Sequence, residues 1–198
     1  MQLIMRRLVQ LFLPLSLLAV AGRGINSVPT REEAAKAAWA DVQNQYQRRA
    51  DLVPNLVATV QGFAKQEREV LTAVTEARAR ATSVQMSPEA LRDPQAMRNF
   101  EAAQGQLGSA LSRLLVTVER YPELRSSESF LTLQAQLEGT ENRIAVARRD
   151  YNEAVRLYNT EIRTFPSLIA AKFIYSAQPI QPFTATTPGA DVAPQVKF

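Results

Sequence analysis

Trp39, Val42, Tyr46, Val53, Leu56, Val60, Phe63, Val70 and Val74 fall on one alternating three-and-four spacing that keeps its phase through a proline. Arg49 and Glu67 are the charged members of the series. Such a repeat is the seam of a long helix built to pack on other helices, and it commits the chain to a helical bundle. Pro54 is the difficulty, since a mid-helix proline loses a hydrogen bond and costs about 3 kcal/mol. Either Asp51 caps a fresh helix, or one helix runs through with a kink. The unbroken register favours the kink.

Two more seams follow. Met97, Phe100, Leu107, Leu111, Leu114 and Val118 repeat the alternation with Gln104 as the polar member. Phe130, Leu133, Leu137, Ile144, Ala147, Tyr151, Ala154 and Tyr158 do so with Thr140 in the polar slot. The predicted fold is all-α: an extended antiparallel up-down bundle of three long helices plus a short fourth, preceded by an N-terminal membrane helix. Residues 24–29 read as a linker, and Thr30 with Glu33 matches a capping box. The first helix is expected to reach about Thr82, and Ser83 to Pro94 to turn the chain. The second helix ends near Tyr121-Pro122. The third starts at a Ser126 or Ser127 cap and stops at Phe165-Pro166, with a short apolar helix over 167–174. The bundle thus covers 30–175. The tail, 176–198, is expected to be extended or disordered, with Phe183 and Phe198 as docking anchors.

Residues 1–23 read as a targeting element. Arg6 and Arg7 precede a largely apolar run from Leu8 to Gly22. That run lies between the h-region of a signal peptide, about 7 to 15 residues, and a full span of roughly 20. An uncleaved anchor is favoured. Ala19 and Ala21 leave cleavage open. Either way Arg6 and Arg7 stay cytoplasmic and the rest faces outward, a single-pass arrangement in the bacterial plasma (inner) membrane. The chain has 23 basic and 19 acidic residues, and without Arg6, Arg7 and Arg23 the balance is 20 to 19. The folded part is nearly neutral, which argues against nucleic-acid binding. No cysteine or histidine is present, so thiolate, zinc-type and imidazole chemistry are excluded.

Level-counting along three helices puts Tyr121 opposite about residue 56 and leaves Trp39, Val42 and Tyr46 overhanging by about 25 Å. That exposed stripe is the candidate interaction surface, for a protein partner, for self-association or for the membrane surface; a folded-back tail is the plainer alternative. Pro54 then falls where bundle meets stalk and becomes a candidate hinge. Arg48, Arg49, Asp51, Glu138, Thr140, Glu141, Asn142, Arg148, Asn152 and Asn159 form a candidate structural polar network. Arg49 and Thr140 occupy seam positions, where a polar group fixes register at a cost in stability. A catalytic role would require paired carboxylates in a pocket, such as Glu138 with Glu141, and a three-helix bundle offers no obvious concavity for it.

QRRADLVPNLVATVQGFAKQE, YPELRSSESFLTLQ and EGTENRIAVARRDYNEAVRLYNTEIRTFPSLIAAKF, with the closing PQVKF, resemble blocks of the LemA family of bacterial membrane-anchored helical proteins. The resemblance implies an all-helical domain held at a membrane by its N-terminus, with no cofactor and no known substrate. Arg23 stands where lipoprotein-like relatives carry a cysteine, and Gln66 where similar proteins often have histidine. Two function classes follow. One is a non-enzymatic membrane-tethered scaffold or interaction module. The other is an envelope accessory protein binding a peptide or small ligand at the polar face of the third helix and regulating a partner enzyme.

Overall fold

The first seam folds as one helix through its proline. In the computed structural model, which describes residues 2–184 and the side chains of 25–184, α1 spans Gln2–Phe63. Pro54 lies on an exposed face, and the Ala50 carbonyl four residues back loses its usual helical donor. Arg78 supplies a replacement, its Nε donating to the Ala50 oxygen at 2.7 Å. Arg78→Met is therefore expected to cost about 1–2 kcal/mol in urea denaturation, and much less in a Pro54→Ala background, where residue 54 regains an amide. An equal cost in both backgrounds would contradict this assignment.

α1 ends well short of the expected Thr82. Ala64 to Glu67 turn the chain, and α2 (Arg68–Ser83) doubles back so that Arg78 meets Ala50. The seam records the turn as a one-residue slip. Phe63 is exposed and Val70 half-buried, while their neighbours Ala64 and Leu71 are buried. Glu67 fixes the turn from across the bundle, accepting from the Tyr121 hydroxyl at 2.7 Å and from Arg120 at 3.0 Å.

A 3-10 turn at Ala90–Arg92 leads into α3 (Pro94–Val118), whose first turn is capped by Asp93 accepting from the Gln95 amide. α4 (Pro122–Arg125) is a single turn. α5 (Glu128–Glu161) is capped by Ser127 and runs antiparallel along α1, with Glu141 at Arg49, Tyr151 at Trp39 and Glu161 at Ser27. α6 (Ser167–Phe173) packs beside α1 near Ser27.

The described residues are thus all-helical in their regular structure, but four helical segments surround the upper core where three were expected. The extra segment overturns the level-counting. Because α2 descends as a separate helix, α3 begins near the level of Trp39 and not far above it. Trp39, Val42 and Tyr46 are 4%, 1% and 7% exposed, so the stripe offered as an interaction surface is core. The hinge at Pro54 loses its premise with the stalk, since Tyr46 below and Leu56 above are both packed. Thr30 also differs from expectation. It lies inside α1, where its hydroxyl donates to the Asn26 carbonyl at 2.7 Å, so neither a 24–29 linker nor a cap forms there.

The side chains of the membrane segment expected over 1–23 lie outside the described residues, as does Phe198. Among the described residues no helix is long and apolar enough to cross a membrane.

Candidate functional site

Each seam carries a polar residue among apolar ones, and the fold brings Arg49, Gln104 and Thr140 to one level. Above this layer lies a core containing Val53, Leu107 and Leu137; below it lies a second containing Tyr46, Phe100 and Ile144. Arg49 is 4% exposed. Its Nη2 donates to the Gln104 side-chain oxygen at 2.6 Å and to the Gln104 carbonyl at 3.1 Å, and its Nη1 to Glu141 at 3.1 Å. Gln104 in turn donates to the Ala81 carbonyl, one of the last four of α2 and so without a helical donor of its own. Four helices are joined at this level. Glu141 sits at the solvent edge with its side chain 46% exposed, so the neutral Gln104 contacts carry more of the layer's worth than the ion pair.

About three to five turns further along, α5 holds an extended peptide. Asn152 and Asn159 are seven residues apart and therefore share a face. Asn159 donates to the Ile180 carbonyl at 2.8 Å and accepts from the Ile180 amide at 3.0 Å. Asn152 does the same at Phe183, at 3.1 and 2.8 Å. The Tyr151 and Tyr158 hydroxyls donate to the carbonyls of Gln181 and Gln178. On the opposite wall the Gln181 amide donates to Leu91, and the Thr184 amide to Glu101. All eight hydrogen bonds engage the main chain of the tail. Side-chain contact comes from Ile180 and Phe183, 2% and 5% exposed, and from the Thr184 hydroxyl, which donates to Glu101 at 2.8 Å.

Phe183 completes an aromatic cluster around Trp39, with ring centroids 5.7 Å apart; Trp39 also meets Phe100 at 5.2 Å and Tyr151 at 5.3 Å. Arg148 covers the outer face of Phe183 at 4.5 Å. Burial pushes the phenols of Tyr46, Tyr151 and Tyr158 above their ordinary range. Glu161 is held below the usual carboxylate range by the hydroxyls of Ser167 and Ser27.

The remaining expected network residues are dispersed. Asp51 accepts from Gln47 at 2.7 Å instead of pairing with Arg48, and Arg48, Asp51 and Thr140 line a shallow groove between α1 and α5. Thr140 turns its hydroxyl to the Gln136 carbonyl. Asn142 lines a separate depression with Ala147 and Asp150. Glu138 accepts from Gln134 and Glu141 from Arg49, so the two carboxylates serve different partners. Docking of the tail through Phe183 is among the sequence expectations; the role of Glu101 and the main-chain bonds to 178–184 are not. An open cleft of about 430 Å³ lies beside Tyr46 and Gln104. Among the described residues no acidic cluster is placed to hold a metal ion.

The sequence model of the LemA family matches residues 38–198. Magnetosome protein MamQ 2 of Paramagnetospirillum magneticum is 28% identical over 157 residues, which is 71% of this chain and 58% of that protein. Magnetosome protein MamQ of Magnetospirillum gryphiswaldense is 27% identical over 180 residues, 80% of this chain and 66% of the relative. Protein LemA of Metamycoplasma hominis is 24% identical over 127 residues, 63% and 52% of the two chains. The chain therefore spans less than two thirds of the length of these relatives.

Proposed function

This chain belongs to the LemA family, and on that premise we propose that it is a non-enzymatic helical module, tethered by its N-terminus at the bacterial plasma membrane with residues 24 onward extracytoplasmic, that works by gripping extended protein segments. The observation that carries this reading is the asparagine pair. Asn152 and Asn159 each close a two-bond ring with the main chain of a peptide, an arrangement that accepts many sequences so long as they are extended and bring apolar groups to the Ile180 and Phe183 positions. Peptide recognition by backbone hydrogen bonds with pockets for a few side chains is a recurring binding mode. Here the chain's own tail is the occupant. The groove lies at the polar side of α5, so the peptide-binding class gains on the exposed-stripe class, whose residues are buried. The leader supports the tether, through Arg6 and Arg7 followed by the apolar run to Gly22.

Photocrosslinking in cells is the test, with a diazirine amino acid at Glu101 or Arg148 on the groove walls and at Val116 as a remote exposed control. Protein adducts are expected at 101 and 148, and more of them when Phe183→Ala loosens the tail. Adducts at none of these positions, or at Val116 alone, sink the reading.

A further inference from the structure

α6 is built the wrong way round for a helix facing water. It buries Ser167, Ala170 and Ala171, its small residues, against the bundle. Leu168, Ile169 and Phe173 face outward, and the flanking Phe165, Ile174 and Tyr175 extend the same surface; Phe165 and Phe173 are 73% and 77% exposed. A surface helix ordinarily does the reverse, and contiguous apolar exposure of this kind marks an interaction site.

The position of the patch identifies what it meets. Ser167 lies 3.2 Å from Ser27, hydroxyl to hydroxyl, and Ser27 follows the last apolar leader residue, Gly22, by five positions. At about 1.5 Å per residue, α6 sits within roughly 8 Å of the leader's apolar run along the axis of α1. Charge agrees with position. From Ile162 to Thr184 the charged residues are Arg163 and Lys172, both exposed and both positive, which suits anionic headgroups. The described tail does not cover the patch, because it climbs away from α6 to reach Glu101 at Thr184.

We propose that α6 and its flanks form a bilayer-docking platform, lying in the headgroup layer of the membrane from which α1 emerges and setting the bundle's orientation on that surface. The aromatic and aliphatic side chains enter the acyl boundary while Arg163 and Lys172 stay among the headgroups, as in interfacial helices. The proposal rests on the tether read from residues 1–23, and its test separates the two.

Single cysteines are introduced as Ile169→Cys, Phe173→Cys and Val116→Cys into the full chain, which has none of its own. Each is labelled with a polarity-sensitive fluorophore and reconstituted in phosphatidylcholine–phosphatidylglycerol vesicles with or without brominated lipid. Labels at 169 and 173 are expected to be blue-shifted, several-fold more quenched by brominated lipid than the label at 116, and protected from iodide. If alkaline carbonate strips the chain from the vesicles, the tether fails and the docking with it. If the chain resists carbonate but iodide reaches 169 and 173, the docking alone is overturned. Shielding from both quenchers means that protein, such as a second copy, covers the patch, and it also overturns the proposal.

Discussion

Trp39→Ala is expected to destabilise the bundle by about 3–5 kcal/mol in urea denaturation followed by far-ultraviolet circular dichroism, the largest loss from any single side chain. The residue is buried where α1, α3, α5 and the tail converge, and its removal strips Phe100, Tyr151 and Phe183 of a shared neighbour. The damage should spread to the tail, seen as faster chymotryptic cleavage at Phe183. Trp39→Phe should cost less than half as much. It keeps most of the ring contact and removes an indole N–H that is buried without a hydrogen-bond partner. If the alanine variant loses under about 1 kcal/mol, the aromatic cluster does not hold the lower half closed.

Arg49→Ala is the second large effect, about 2–4 kcal/mol, and it acts through hydrogen bonding more than through charge. The Gln104 side-chain oxygen loses its donor inside the bundle and its carbonyl loses a second one beyond the helical amide, whereas Glu141 at the edge can turn to water. Replacing the buried pair together, as Arg49→Met with Gln104→Leu, should restore part of the loss but not all of it, because the apolar pair leaves neither side chain stranded yet takes the Gln104 donor from the Ala81 carbonyl. Stability of the double variant no better than that of Arg49→Ala would show that the layer works in some other way. The layer sets register as well. A helix slipped by one turn would place Arg49 against Leu107 or Leu137, with no acceptor to meet it.

Both predictions turn on residues whose spacing was legible and whose company was not. Arg49, Gln104 and Thr140 stand out in the sequence as polar members of apolar seams. That they share one level depends on where the connections fall, and seam spacing is silent on that. The turn at Ala64 to Glu67 escaped for the same reason. It holds no proline, and the apolar pattern runs on across it, with Gly62 and the slip from Phe63 to Ala64 as its trace. One turn without a sequence signal displaces everything counted from it, which is why level-counting leaves Trp39, Val42 and Tyr46 overhanging. The third helix and the short α6 needed no such count, and their positions follow the sequence closely. In the groove, the repeat of Tyr151-Asn152 at Tyr158-Asn159 is visible and Phe183 reads as a docking anchor, but that the asparagines bond the main chain of 178–184 is announced by no residue pattern.

The wall that closes over Trp39 is made from the last described stretch of the chain, so the order of synthesis matters. A ribosome adding about 5–20 residues per second makes Trp39 roughly seven to thirty seconds before Phe183. During that interval the upper half can form from residues up to α5, while the aromatic surface below waits uncovered. Completion of the fold is thus reported by one late contact. A chain stopped before Ile180 would display the ring of Trp39 to whatever chaperone or protease surveys that compartment, and a finished one would hide it.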